Sequence, residues 1–474
     1  DADNLTLEWV GTISGKRESR RFEGLYMLKQ QDIVEQKEFQ DAVAFGGWAL
    51  DLHPADGVYS SLPSCIQWHS KGAYQIPYRC YVSKDIDNLF FAGRIISATH
   101  VAFASTRVMA TNAHGGQAVG MAAVLCCRHS LKPKQILENN LIGCLQESLN
   151  EIGQSVPGIP FNKKNDLSNS AVITTSSTLT INQIPFDGEW MPLNESSGQL
   201  LPFQKNKDHQ FTVLVKADAK TILTTELRVS SKKANYTPDV ILEKIELTIE
   251  PGEQYLTINF QKTVPDNQYG FLVFLKNTSL FLKCSAHRYT GITSVFNGKN
   301  KAVSNEGIQL PPQAIGIETF EFWCPRRRPD GQNIAMKIKP AIEPYNPANL
   351  TNGFTRPYLG TNAWAADLAD NHPELILEWK EKKQVQTITL FFDTDYDHPL
   401  ESSLWGHKED VIPFCVREYK ILDDNDKVIY QTNNNHQTIN KIVLDHAVTT
   451  SRIKIQCEHP AENIPAALFE VIIE

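Results

Sequence analysis

The run Asn88-Leu89-Phe90-Phe91-Ala92-Gly93-Arg94 leads into a polar loop holding Ser97, Thr99 and His100, and then into a stretch from Ser105 to Leu125. The first seven residues predict an apolar strand that ends on glycine, where a buried strand meets a turn or a ligand. The stretch from Ser105 predicts a helix, with Ser105 or Thr106 as N-cap, because a hydroxyl there accepts a backbone N–H bond. Along that helix Ala113, Gly116 and Gly120 recur at helical spacing, with Ala110 and Ala123 alongside. Glycine inside a helix costs about 0.5–1 kcal/mol relative to alanine, so two of them predict a backbone that approaches a neighbour closely. Strand, loop and helix in this order aim the free N–H groups of the helix at the strand's C-terminal edge, where anions and carbonyl oxygens bind. The same pattern also describes a packing unit without a ligand.

Outward from this segment the composition changes near residue 150. Ala- and Gly-rich, helix-like sequence gives way to polar linkers and alternating strands, and Lys132 to Leu149 reads as one last helix on the period of Ile136, Leu137, Leu141 and Leu145. Pro157-Gly158-Ile159-Pro160 and Asn162-Lys163-Lys164-Asn165 form a linker. Strands then dominate: Phe211–Val215, Glu246–Ile249 and Tyr269–Leu275, followed by Leu375–Trp379, Thr387–Phe392 and Arg452–Ile455. They are short, β-branched or aromatic, and bounded by turn residues, which is the pattern of β-sandwiches. With 474 residues, well beyond the roughly 250–300 of a single core, the chain is expected to hold three domains at 1–150, 165–345 and 346–474. The fold class is multidomain, α+β followed by all-β.

Hydrophobic residues make up 41% and charged residues 21% of the chain, an ordinary globular balance, and the net charge is −8. The basic run Lys16 to Arg21 is broken by Glu18 and read as a structural ion-pair cluster, so nucleic acid is not expected as a partner. No apolar run reaches the ~20 residues needed to span a bilayer. Nine cysteines without a C-x-x-C pair, and thirteen histidines without H-x-x-x-H spacing, predict no metal site. The start at Asp1-Ala2-Asp3-Asn4 reads as that of a processed or truncated product.

Asn88–Arg94, then Arg107-Val108-Met109-Ala110-Thr111 and Gly116-Gln117-Ala118-Val119-Gly120-Met121-Ala122-Ala123, resemble the C-terminal flavin motif of the FAD-dependent oxidoreductases related to glutathione-reductase-type flavoproteins. Gly15-Lys16-Arg17-Glu18-Ser19-Arg20-Arg21, Gly46–Pro54 and Ile76-Pro77-Tyr78-Arg79 extend the likeness over residues 5 to 130. Two departures stand out: Leu25 occupies the place of an acidic residue before a tyrosine, and the chain holds no G-x-G-x-x-G, the fingerprint that seats the FAD pyrophosphate. The resemblance therefore implies the C-terminal part of such a fold, with FAD not held tightly by this chain alone and a missing N-terminal part as a partner.

By resemblance and geometry Gly93, Arg94, Ser105, Thr106 and Arg107 line the ring and ribityl end of FAD, the two arginines stabilising a reduced anionic flavin. Each arginine has the alternative of pairing with an acid such as Asp85 or Asp87. His100, and after it His69, are the candidate general bases, since histidine titrates near neutrality. Residues 347–474 resemble a discoidin-like, coagulation-factor C-type sandwich through Asn349–Phe354, Ala363-Trp364 and Glu374–Trp379. That resemblance implies glycan binding through exposed aromatics, with Trp364 and Trp405 as candidates and core filling as the alternative for each. The functional expectation is hydride transfer from a carbohydrate-like or other small polar substrate to FAD, in a secreted or periplasmic setting of polysaccharide utilisation. The rivals are a glycan-binding accessory protein with a vestigial flavin segment, and a polysaccharide lyase or hydrolase.

Overall fold

A computed structural model of the chain describes residues 6, 8, 9, 11, 12, 20–54, 56–161, 163–298, 308–326, 332–394 and 415–474. It divides into two compact units, one formed by Asp1–Gln67 and Tyr74–Leu145, the other by Trp68–Ala73 and Gln146–Glu474.

The first unit mixes helix and sheet. Strands Ala42–Gly46 and Tyr74–Pro77 pair antiparallel, and the principal helices are α1 (Gln30–Val34), α2 (His100–Thr106) and α3 (Met109–His129). The strand expected over Asn88–Arg94 is reduced to one bridge, Phe90 opposite Val82, because Gly93 takes φ +63° and turns the chain into a short 3-10 segment over Gly93–Ile95. The helix expected from Ser105 is two helices. Thr99, not Ser105 or Thr106, caps α2 by accepting from Ala102 N–H, and extended Val108 separates α2 from α3.

Helix α3 buries Thr111, Gly115, Ala118, Ala122 and Cys126, positions that repeat every three to four residues on one face. The close approach falls on Gly115, where an added Cβ would stand 2.5 Å from the Tyr81 hydroxyl. Gly116 and Gly120 instead face open space, on the side of Met109, which is 89% exposed, and Val124. The helix expected over 132–149 is broken into α4 (Gln135–Glu138) and α5 (Ile142–Glu151), with Asn140 at φ +56° between them.

The described part of the second unit is mainly β-sheet, with short helical turns between strands. A six-stranded sheet, built on Ser197–Phe203, Thr221–Val229, Val240–Ile249 and Gln268–Phe274, faces a sheet built on Gln210–Ala217, Gly252–Asn259, Leu280–Ser285 and Met336–Ile342. Inward residues such as Leu201, Phe203, Phe211, Val213, Leu272 and Phe274 make their common core, which follows from strict alternation along Gln210–Ala217. Toward the C-terminus a further sheet is organised on two 19-residue strands, Glu374–Phe392 and Ile439–Cys457. Both halves of each strand feed one core, with Leu375, Leu377, Leu390, Phe392, Ile442 and Ile455 together. The breaks in register between Glu378 and Lys383 and between Val385 and Thr387 mark where the sheet bends.

The two β regions are not insulated from one another. Val172–Thr175 pairs with Glu374–Glu378, and Ala363, Ala365, Phe391 and Phe469 join the core of the preceding sandwich. The expected fold class, an α+β segment followed by β-sandwiches, is what the chain forms.

Candidate functional site

In the first unit the side chains of interest gather on the loop after Phe91 and on α2. His100 is exposed at the start of α2, and its Nδ1 lies 3.4 Å from an Arg21 Nη. A guanidinium carries only donors, so Nδ1 can serve only as the acceptor in that contact. Arg21 also donates to the Ala98 carbonyl and lies over the Phe103 ring, 5.3 Å from its centroid.

Ser105 is wholly buried and tied internally. Its hydroxyl donates to the Trp48 carbonyl at 2.6 Å and accepts from the Tyr74 hydroxyl at 2.7 Å. Burial pushes the Tyr74 phenol well above its ordinary range, the Ser105 contact opposing that rise. Arg107 donates to the Asp51 carbonyl at 2.6 Å and stands 3.6 Å from the Asp51 carboxylate. Its acid is thus Asp51 rather than the expected Asp85 or Asp87; Asp87 is taken by Lys132 at 2.7 Å. Gly93 leaves open space on its Cβ side and Arg94 is exposed beside it.

Among the described residues of this unit, Thr106 Oγ1, Ser97 Oγ and Asp51 Oδ1 are buried without a hydrogen-bond partner. Leaving such an atom unpaired costs about 1–3 kcal/mol, and native proteins rarely tolerate it. Of these, the sequence assigns a cofactor role only to Thr106; Ser97 stands in the polar loop and Asp51 in the Gly46–Pro54 stretch with no role given to either, because their surroundings are set by tertiary packing.

His69 folds with the second unit. Its backbone exchanges hydrogen bonds with the Gln309 side chain, and its ring lies against Phe322 with centroids 5.0 Å apart. Burial lowers its pKa, so the imidazole is held neutral within a packed contact. Trp364 is fully buried, with its indole N–H donating to the Ser177 carbonyl. It fills the core and presents no face to a glycan, which corrects one of the two aromatic candidates. Trp405 lies outside the described residues, as does Glu18.

A groove of about 310 Å³ opens on the C-terminal sheet, lined by Glu418, Lys420, Gln431, Asn433, Gln456 and Glu458 among others. Register sets Gln431, Lys420 and Gln456 side by side on adjacent strands. Among the described residues no group of three His, Cys, Asp or Glu side chains is placed to hold a metal, and no described helix is long and apolar enough to cross a membrane.

Residues 1–149 match the family described as FAD dependent oxidoreductase. No curated protein matches the chain. Solved structures similar to part of it include chitosan-binding module 1 of a chitosanase/glucanase from Paenibacillus sp. IK-5, at 14% identity over 28% of this chain and 86% of that one, with a TM-score of 0.21. The family 32 carbohydrate-binding module of Streptococcus pneumoniae EndoD is 8% identical over 27% and 82%, with a TM-score of 0.21. The family 32 module of C. perfringens NanJ, in complex with galactose, is 12% identical over 27% and 85%, also at 0.21.

Proposed function

We propose that residues 1–149 contribute the ring-facing wall of a flavin site in an FAD-dependent oxidoreductase, and that the β-sandwiches of the second unit capture carbohydrate. The observation that carries the flavin reading is the set of buried, unpartnered polar atoms at Ser97, Thr106 and Asp51, within the segment that matches the flavin-dependent family. Two hydroxyls can donate and a carboxylate oxygen can accept, the hydrogen-bond types that a ligand with carbonyl acceptors and an N–H donor calls for. Gly93, with open space on its Cβ side, lets a ligand come close to the backbone.

FAD, when bound, supplies the hydride acceptor. The chain's own groups bind and orient. Thr106 and Ser97 would hold the cofactor through their hydroxyls, and Arg107, anchored by Asp51, would bring a fixed positive charge that stabilises negative charge on it. Ser105, committed to Tyr74 and Trp48, holds α2 in register rather than meeting the cofactor. His100, exposed at the start of α2, is the group offered to a hydroxyl of a small polar substrate, as its general base.

The test is titration of the purified chain with FAD, followed by flavin absorbance and fluorescence and by acid release of bound flavin. The expected result is saturable binding that Thr106→Val weakens about tenfold, the effect of one hydrogen bond of about 1–1.5 kcal/mol. A chain that ignores FAD, or a Thr106→Val variant that binds as the parent does, overturns the reading.

The carbohydrate reading is supported by the groove on the C-terminal sheet, whose adjacent amide, ammonium and carboxylate groups suit a ligand dense in hydroxyls. Gln456→Ala is expected to reduce oligosaccharide binding there in calorimetric titration. Unchanged binding would remove the groove from the proposal.

A further inference from the structure

The sheet containing Gln210–Ala217 has an outer face of unusual composition. Strand alternation sends Tyr255 outward, and its ring is 60% exposed. Phe186 stands edge-on to it, with centroids 5.5 Å apart and planes at 90°. Across the same face, register places Trp190 beside Lys283. Each ring has an ammonium beside it: Lys283 lies 5.3 Å from the Trp190 ring centroid and Lys337 5.9 Å from that of Tyr255. Lys339 follows Lys337 on the same side of Met336–Ile342. Against these cations stands Glu253, already 4.0 Å from Lys216. Lys283, Lys337 and Lys339 have no acidic partner among the described residues.

From the strand of Trp190 to that of Tyr255 is three strand-to-strand steps, about 14 Å at ~4.8 Å each. Flat rings at that separation, each flanked by a cation, suit a chain of sugar rings that stack on aromatic faces and carry negative charge.

We infer that this face of the sandwich binds an acidic polysaccharide, a uronate-bearing chain, with Tyr255 and Trp190 as stacking platforms and Lys283 and Lys337 as carboxylate partners. The inference rests on the carbohydrate part of the reading above and gives it a second site and a substrate class. A protein partner is disfavoured because lysine is depleted from protein–protein interface cores. On this face, moreover, Thr212 pairs with Thr257 and Leu214 with Tyr255, and Lys216, Lys283 and Lys337 are interleaved with the apolar groups. A nucleic acid is disfavoured by the chain's net charge of −8 and by the absence of arginine from these outward positions, since phosphate binding relies on several Lys and Arg together.

The test is affinity electrophoresis and calorimetry of the full chain with polygalacturonate, a neutral glucan and a single-stranded oligonucleotide, at low and raised salt. Polygalacturonate should retard the chain more than the neutral glucan does, and salt should weaken the effect. Tyr255→Ala and Trp190→Ala should each weaken binding about tenfold, while Lys283→Gln with Lys337→Gln should abolish the preference for the charged polymer and its salt dependence. Far-UV circular dichroism checks that each variant folds. Three outcomes overturn the inference: no retardation, equal retardation by neutral glucan, or stronger binding of the oligonucleotide. It is also overturned if variants on this face bind as the parent does while Gln456→Ala loses binding. That last result would assign the carbohydrate to the C-terminal groove and leave the broader carbohydrate reading standing.

Discussion

The two outer faces of the first sandwich begin from the same alternation and end differently. On the six-stranded sheet, outward Leu200, Tyr269, Phe271, Val273 and Val295 form a second core, packed under Leu275 and Trp323. Outward Arg228 and Glu226 are buried there too; the guanidinium lies 5.5 Å from the Trp323 ring centroid and pairs with Glu226 and with Glu321. Residues 68–73 help to cover this region, with Lys71 bound to Asp239 at 2.7 Å and to Glu318 at 2.5 Å. On the opposite sheet Tyr255 is 60% exposed, and the outward positions mix Thr212, Thr257, Lys216, Glu253, Lys283 and Lys337 with Leu214, Phe281 and Trp190. An apolar outward row calls for a cover, and a row broken by charged and hydroxyl side chains does not. The first is a structural face and the second is available for binding.

The largest test of that contrast is Arg228→Ala. It leaves the Glu226 carboxylate buried without its cation, and stranding one partner of a buried pair costs about 3–5 kcal/mol. Urea denaturation should show a loss of that size, and a loss under about 1 kcal/mol, the range of exposed pairs, would mean the cover is loose.

The same distinction between covered and open faces divides α3. Gly115→Ala would drive a Cβ to 2.5 Å from the hydroxyl of buried Tyr81, an overpacking expected to cost about 1–3 kcal/mol. Gly120→Ala, facing open space, should stabilise the helix by about 0.5–1 kcal/mol. Thermal denaturation of the two variants should therefore move in opposite directions.

Acid provides a third probe. Burial tends to raise the Asp239 pKa, but hydrogen bonds from Lys71 and from the Ser231 hydroxyl and N–H, with the charge of Lys71, overcome it and hold the carboxyl below its usual range. A carboxylate depressed in the folded state stabilises above its unfolded pKa, about 3.9. That contribution is lost as pH falls through the lower, folded value. Below about pH 4, hydrogen exchange in 309–325 should accelerate before exchange in Gly252–Asn259 does. Simultaneous acceleration would show that Lys71–Asp239 does not secure the cover.

Where period alone decides, the sequence was readable. The strands at Phe211–Val215 and Tyr269–Leu275 appear within a residue or two at each end, because alternation and β-branched composition agree there. The flavin-like segment was harder. Its apolar run at Asn88–Arg94 has strand composition, yet Gly93 turns it away, and Thr99 outcompetes Ser105 and Thr106 as a cap because it begins the helix one and a half turns earlier. Gly116 and Gly120 looked like the contact face, but α3 is apolar on most sides, and in such a helix spacing cannot tell which face is covered. Trp364 shows the same limit, since an aromatic next to a loop gives no sign of its burial. The unpartnered state of Ser97 and Asp51 was not legible for a related reason: such an atom exists only once distant segments have packed.

The smallest expected effect is the sharpest test of the open face. Tyr255→Ala removes a large ring, and if that ring were part of a core the loss would be about 3–5 kcal/mol. With Tyr255 60% exposed, Leu214 opposite it, and Thr257, Glu253 and Lys337 beside it on the same face, the change in stability should stay within about 0.5 kcal/mol. Phe271→Ala, its counterpart on the covered face and fully buried, should show the full core loss in the same urea titration. Equal losses would mean that Tyr255 is buried in solution by a partner surface and that the open face is an interface. A negligible change for Tyr255→Ala together with a loss of polygalacturonate binding would instead assign the ring to ligand contact alone, since a side chain that adds nothing to folding but is needed for binding acts where the ligand lies.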